Sequence, residues 1–468
     1  MRVKLRRASF AVAALYIGLR VVAFVGVTPT RYPDSRSYLD VAGEQLHSWA
    51  FLAGARPWTV PLLYKVLPDS DTYRTTGQLV LSVLCWLALA VAAARCVRDE
   101  RLRIVTFAVV LLFSLSSSIT RWDSLLLTES LSVSLTVAVI ASWLALVRLP
   151  RPDALSIASV LVTTLLWTFA RDTNATLVML AALVVLVWVI RPGPKVGRIV
   201  LLTGLVLIAG AGLASTTGAD ARLRRIERPM LGAVGVRVLA EGDMTEYFRD
   251  QGMPAPSARV RANTARLKGI GDGIPTDPQT EVFLDWVRAH GRSTLGRYLV
   301  THPGAAALPL FTEPAIADDS PGYHPPGAHP ILPPLLRDVV YPGPGKAALG
   351  LAAGVLLAGV AFGRGARVHR AWLVPALAKL MLIPYASVIW HGDAFEVSRH
   401  AFLVQMALRL CPLLLAMFVI DAWLSRVSTH ARPQSEAFNP ISPGWTPPDG
   451  YETTDAGKAL HQWRSKQS

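Results

Sequence analysis

The chain has 468 residues, 52% of them hydrophobic and only 17% charged, with a mean hydropathy of +0.39, whereas a soluble domain averages roughly 25% charged. That composition excludes a soluble globular enzyme and points to an all-α integral membrane protein. The net charge of +15 does not indicate nucleic-acid binding, because the basic residues fall in short clusters between apolar runs rather than along one face.

Crossing about 30 Å of hydrocarbon takes roughly 20 residues of helix. Apolar runs of about that length are predicted near 8–27, 76–95, 103–120, 125–147, 155–170, 175–190, 199–215, 346–363, 371–390 and 401–424, about ten spans in all. The opening "MRVKLRRASFAVAALYIGLRVVAFVGV" has the basic start and apolar core of a signal peptide. Arg20 interrupts that core and no small-x-small site follows it, so an uncleaved first span is expected. The fifth run, "LSIASVLVTTLLWTFA", has only 16 residues and fits a re-entrant helix as well as a crossing. Cys85, Cys96 and Cys411 all lie within or at the end of apolar runs, so no disulfide framework is expected.

The connecting loops alternate in basic content. Arg2, Lys4, Arg6 and Arg7, then Arg95 to Arg103, Arg148 and Arg151, Arg191 to Arg198, and Arg364 to Arg370 form one set, which the positive-inside rule assigns to the cytoplasm together with both termini. A multi-pass plasma-membrane protein is expected, with 28–75, 120–124, 171–174, 216–345 and 391–400 facing outward. This divides the chain into an N-terminal membrane region (1–215), a large outer subdomain (216–345), a C-terminal membrane region (346–424) and a disordered cytoplasmic tail (425–468). Within the outer subdomain, "DPQTEVFLDWVRAHGRSTLGRYLV" predicts a helix that places Phe283, Leu284, Val287 and Leu295 near one face, with Asp277 and Pro278 at its start. The flanking "GDGIPTDP" and "DSPGYHPPGAHPILPP" are rich in turn residues.

The first outer loop opens with "TRYPDSRSYLDVAGEQLHSWAF". Tyr38, Ala42, Leu46 and Trp49 fall along one stripe, which predicts an amphipathic helix lying in the interface. Asp34 or Ser35 suits its N-cap. A carboxylate there also suits general-base chemistry on an acceptor hydroxyl.

Burying an ionisable group in a membrane is costly and needs a reason, and here such groups gather at the outer ends of the spans. Arg121 and Asp123 stand in the predicted turn at 120–124. Glu129, in "LLLTESLSVSL", lies about one turn inside the fourth span and suits either pairing with Arg121 or Arg171, or lining a polar cavity with Asp34. Arg171, in "WTFARDTNATLV", presents a planar fork of donors that matches phosphate. Arg399 and His400 form a second basic pair next to Glu396. The loop histidines His302, His324 and His329 fit no compact metal-ligand spacing. No Gly-rich phosphate loop or nucleotide motif is present, which argues against a cytoplasmic ATP or sugar-nucleotide donor.

The segments "PDSRSYLDVA", "ARPWTVPLLYKVL", "LLLTES", "FARDTNATLV" and "VSRHAFLV" together resemble the multi-spanning GT-C glycosyltransferases, which include protein O-mannosyltransferases, aminoarabinose transferases and cell-wall arabinosyltransferases. The resemblance implies a GT-C-like helical bundle and an inverting sugar transfer on the outer face. The donor it implies is a polyprenyl-phosphate-linked sugar, and the acceptor a hydroxyl of a glycan, lipid or protein. Asp34 is its implied base. Glu129, Tyr38, Arg171, Arg56, Lys65, Arg399 and His400 are the candidate substrate contacts. A single acid stands before Ser35 where protein O-mannosyltransferases carry a paired Asp-Glu, a departure from the protein-mannosylating branch. No cofactor is called for, and a divalent metal is optional because a clamped phosphate already leaves readily. Lys379 and Arg409, deep in the last two spans, favour the alternative, a transporter or lipid flippase without glycosyl transfer.

Overall fold

The computed structural model describes residues 2–191, 195–223, 227–265, 278–317, 322–346, 350, 353–355, 370–392 and 396–430. Among these residues the secondary structure is helical, with one isolated β-bridge between Thr30 and Leu125. The first half comprises α1 (Arg2–Phe24), α2 (Pro33–Gly43), α3 (Trp49–Leu52), α4 (Thr59–Val66), α5 (Asp71–Cys96), α6 (Glu100–Ser114), α7 (Ser117–Thr120), α8 (Thr128–Arg148), α9 (Ala154–Thr168), α10 (Asn174–Ile190) and α11 (Val196–Leu223). The C-terminal membrane region contains α12 (Leu373–Gly392) and α13 (Phe402–His430).

Among the described residues, six helices are long and apolar enough to cross a membrane: Arg7–Phe24, Asp71–Cys96, Thr128–Arg148, Val196–Ala219, Arg370–Gly392 and Phe402–Ser425. The run expected at 103–120 is not one straight span. It breaks after α6 and turns by 57° into α7 and a 3-10 turn at Arg121–Ser124. Serines cause the break: the Ser114 hydroxyl donates back to the Leu111 carbonyl, and the Ser116 hydroxyl accepts from the Ser118 amide to start the next helix. The fifth and sixth runs form helices of 15 and 17 residues, short of a full crossing. The eighth run, near 346–363, lies almost wholly outside the described residues, as do Asp277 and most of the tail.

Residues 121–135 are buried without a break, so the turn at 120–124 is covered by the rest of the protein instead of lying exposed. A buried turn must find partners for its backbone. Gln78, itself oriented by Tyr64, donates to the carbonyls of both Asp123 and Leu125 at 2.9 Å. Arg121 and Asp123 are accordingly both buried. Asp123 meets Arg20 of α1, whose guanidinium also donates to the Ser82 hydroxyl at 2.7 Å and the Ser114 carbonyl at 2.8 Å. Arg20 is wholly buried, and this pairing is why α1 tolerates a charge in its apolar run.

Around these groups α5, α6, α8 and α13 share one apolar core that includes Trp86, Leu89, Phe113, Val137, Phe402 and Leu410. Ala90 and Ala93 belong to it with no exposure, and such small residues let helices approach closely. Asp421 of α13 accepts from the amides of Arg98 and Asp99 at the start of α6. Arg409 donates to the carbonyls of Pro342, Gln405 and Ala317, so it ties the chain near 317 and 342 to α13. The segment from 227 to 305 builds a second core around Val234, Phe248, Val260, Phe283, Leu284, Val287 and Leu295.

Candidate functional site

The bridge between Thr30 and Leu125 ties the first loop to the approach of α8: Thr30 donates to the Ser124 carbonyl at 2.9 Å, and its own carbonyl accepts from Leu126 at 3.0 Å. Asp34 and Glu129 each stand four residues beyond a bridge partner, and the bridge brings both to one place.

Tyr32, not Asp34 or Ser35, is the N-cap of α2, and Pro33 occupies the first helical position. Ser35 accepts from the Tyr32 amide at 2.8 Å. The helix ends at Gly43, so Leu46 and Trp49 leave the expected stripe and are 49% and 68% exposed, while Tyr38, Val41 and Ala42 are buried. Freed from capping, the Asp34 carboxylate takes two guanidinium groups. Its Oδ1 accepts from Arg56 Nη2 at 2.6 Å and its Oδ2 from Arg399 Nη2 at 2.7 Å.

Arg56 is fixed from two other sides, by donation to Ser37 Oγ at 2.7 Å and by the Tyr38 ring 4.8 Å beneath it. Arg399 lies in a single helical turn, Val397–His400, just before α13, and is 4% exposed. Besides Asp34, it meets Glu396 Oε2 at 2.7 Å, His400 Nε2 at 2.9 Å and Glu129 Oε1 at 3.7 Å. Glu129 Oε1 also accepts from Arg171 Nη2 at 2.8 Å, and Arg171 Nη1 donates to the His400 carbonyl at 3.1 Å. The result is an alternating chain, Arg56, Asp34, Arg399, Glu129, Arg171, built from four separate parts of the sequence.

Burial opposes ionisation of Asp34, but Arg56 and Arg399 outweigh it and hold the carboxyl below its usual range. Burial likewise works against the Arg399 charge, and Glu129, Glu396 and Asp34 more than offset it. The second Glu129 oxygen, Oε2, is buried and has no hydrogen-bond partner among the described residues. An unsatisfied carboxylate oxygen in a buried site is costly and needs an explanation, and a ligand hydroxyl would satisfy it.

Sequence reasoning missed Tyr323. Its hydroxyl donates to Glu396, and its ring lies 4.9 Å from Tyr32 and 5.7 Å from Trp122. The only local sign is an aromatic residue inside a Pro- and Gly-rich loop. That loop is seated on the first one by donation from Thr28 to the Pro326 carbonyl at 3.0 Å. Gly327 has a φ of +80°, and a Cβ there would fall 2.4 Å from the Gly26 carbonyl oxygen. Gly327→Ala is therefore expected to unseat the loop, at a cost of about 1–3 kcal/mol from backbone strain alone. Hydrogen exchange at the Thr28 amide should accelerate about tenfold or more. Gly296→Ala, where nothing lies within 4 Å, is the control and should leave that exchange unchanged.

Lys65 is not part of this cluster. Its ammonium donates to the carbonyls of Ala42 and Glu44 and so closes the C-terminal end of α2. Tyr38 is buried beneath Arg56 and acts as its support, and His400 flanks Arg399. Lys379 Nζ has no hydrogen-bond partner among the described residues. Also among them, no group of three or more His, Cys, Asp or Glu side chains is arranged to hold a metal ion.

No protein-family model matches the chain, and no curated protein does. Among solved structures it is similar to the archaeal oligosaccharyltransferase AglB from Archaeoglobus fulgidus, in complex with an inhibitory peptide and a dolichol-phosphate, at 12% identity and a TM-score of 0.44. The match covers 98% of this chain and 54% of that one, so the chain spans about half the length of that protein.

Proposed function

We propose that the protein transfers a sugar from a polyprenyl-phosphate-linked donor to an acceptor hydroxyl on the outer face of the membrane, with inversion and with Asp34 as general base. The observation that carries this reading is the meeting of Asp34 and Glu129 with Arg56, Arg171 and Arg399 in one cluster, buried at Glu129, Arg171 and Arg399 and partly open at Asp34 and Arg56. The resemblance of "PDSRSYLDVA" and its companion segments to GT-C glycosyltransferases supports it from the sequence side.

Phosphate and carboxylate compete for the same guanidinium fork. A donor phosphate entering the cluster exchanges for Asp34 on Arg56 and Arg399, and this exchange frees the carboxylate that the arginines hold in the resting state. The acceptor oxygen then attacks the anomeric carbon and Asp34 takes its proton. The bond from that carbon to the phosphate oxygen breaks, and the guanidinium groups stabilise the charge left on the lipid phosphate. Glu129 Oε2, without a partner of its own, suits a sugar hydroxyl. Tyr323 and Tyr32 provide aromatic surface beside the reacting centre.

The experiment is to supply membranes containing the protein with a panel of labelled polyprenyl-phosphate sugars and to follow label into acceptor fractions. Transfer of at least one sugar with inverted anomeric configuration is expected. If no donor in the panel is turned over, the glycosyl-transfer reading is wrong.

A further inference from the structure

The carboxylate–arginine cluster is not the only feature built for a ligand. A cavity of about 950 Å³ lies between α8, α9, α10, α11, α12 and α13, at the upper end of the roughly 300–1,000 Å³ usual for ligand sites. Its wall along α8 runs from Thr136 to Leu149, a length of about 20 Å at the helical rise, which is two thirds of the hydrocarbon thickness of about 30 Å. The lining is almost wholly apolar, with Val139, Ile140, Ala181 and Ala378 among its members.

The charges on this wall are few and of one sign. Among the described residues the charged side chains lining the cavity are Arg191, Arg198 and Arg370, and none of Asp34, Glu129, Arg171 or Arg399 is among them. The three arginines come from three places, the end of α10, the start of α11 and the turn before α12. α8 and α10 both lead away from the Glu129–Arg171 pair, so the arginines collect at the opposite end of the cavity. Arg198 is held there, because its Nη1 donates to the carbonyls of Trp188 and Arg191 and its guanidinium lies 4.9 Å over the Trp188 ring. An apolar channel with three arginines toward one end, one of them held in place, is complementary to an amphiphile with an anionic head and hydrocarbon chains.

We propose that this cavity binds an anionic phospholipid. Its phosphate sits among Arg191, Arg198 and Arg370, and an acyl chain reaches along α8 towards Thr136. The lipid belongs to the leaflet opposite the carboxylate–arginine cluster. The site is independent of the glycosyl-transfer reading and stands whether or not that reading holds.

Native mass spectrometry of the full chain tests it, after exchange into detergent micelles doped with phosphatidylglycerol or with phosphatidylcholine. The wild type should retain one phosphatidylglycerol per chain through a detergent wash and release phosphatidylcholine. Arg191→Gln/Arg198→Gln/Arg370→Gln should lower that retention at least tenfold. Ala181→Phe/Ala378→Phe, which fills the channel and keeps the charges, should abolish it. Arg370→Gln alone, at an exposed residue, should weaken retention several-fold, which keeps the test decisive if the triple variant does not fold. Equal retention of the two lipids, or no lipid above the empty-micelle level, overturns the proposal. So does unchanged retention in Arg370→Gln and the triple variant, or displacement of the lipid by a polyprenyl phosphate in the wild type and the triple variant alike, which would mean a chain entering from the other end.

Discussion

Asp34→Asn is expected to lower sugar transfer by about 10²–10⁴-fold, the usual worth of a positioned general base, while donor binding holds or strengthens. The substitution keeps the shape and an acceptor oxygen but removes the charge that occupies Arg56 and Arg399, so more of the guanidinium fork is left for phosphate. Turnover and affinity should therefore separate, and this is not expected of a residue with a purely structural role. Single-turnover assays and equilibrium binding of a polyprenyl phosphate measure the two. A variant that keeps full turnover removes Asp34 from the chemistry.

The pH dependence follows from the same contacts. Arg56 and Arg399 hold the Asp34 carboxyl below the ordinary carboxylate range. Its contribution to stability is thus complete above the unfolded value and is lost only as pH falls through the lower, folded one. Between pH 5 and 7 the resting stability should show no step from Asp34, as thermal scans across that range will check. Once phosphate draws the arginines away, the depression is relieved. The acid limb of kcat should then lie at higher pH than the acid limb of stability.

Arg399→Gln is expected to be the most damaging single change in the cluster. Arg399 is 4% exposed and lies against Asp34, Glu396 and Glu129. Removing the cation leaves Asp34 with Arg56 alone and Glu129 with Arg171 alone and opens a gap at a buried position, so the cost should fall below the roughly 3–5 kcal/mol of a buried pair broken outright. A lower midpoint of thermal unfolding in detergent should accompany the loss of transfer. Arg399→Lys keeps the charge but not the fork, so it should restore much of the stability and little of the activity. If Arg399→Gln unfolds at the same temperature as the wild type, the cluster is not coupled as its geometry implies.

How much of this could be read from the sequence is clear from single residues. Hydropathy located α1, α5, α8, α11, α12 and α13, because a helix that meets lipid or core must be apolar over its whole length. It failed at 103–124, where the serines and the buried turn depend on Gln78, Thr30 and Arg20, which are remote in the chain. Asp34, Glu129, Arg171 and Arg399 stood out as charges at the ends of apolar runs. Lys65, a candidate through its place in the same outer loop as Asp34, is spent by the structure on the end of α2.

The sequence by itself determined that the chain is a membrane protein, where its apolar helices lie, and which charges are out of place in such a setting. These are local properties, set by composition and by the cost of burying charge. Only the tertiary structure decided that Asp34 takes Arg56 and Arg399 instead of capping α2, that Asp123 belongs to Arg20 inside the bundle, and that Tyr323 enters the site. Asp34 and Arg399 are 365 positions apart. A pair at that separation leaves no trace in periodicity or spacing, since what joins its members is the packing of helices between them.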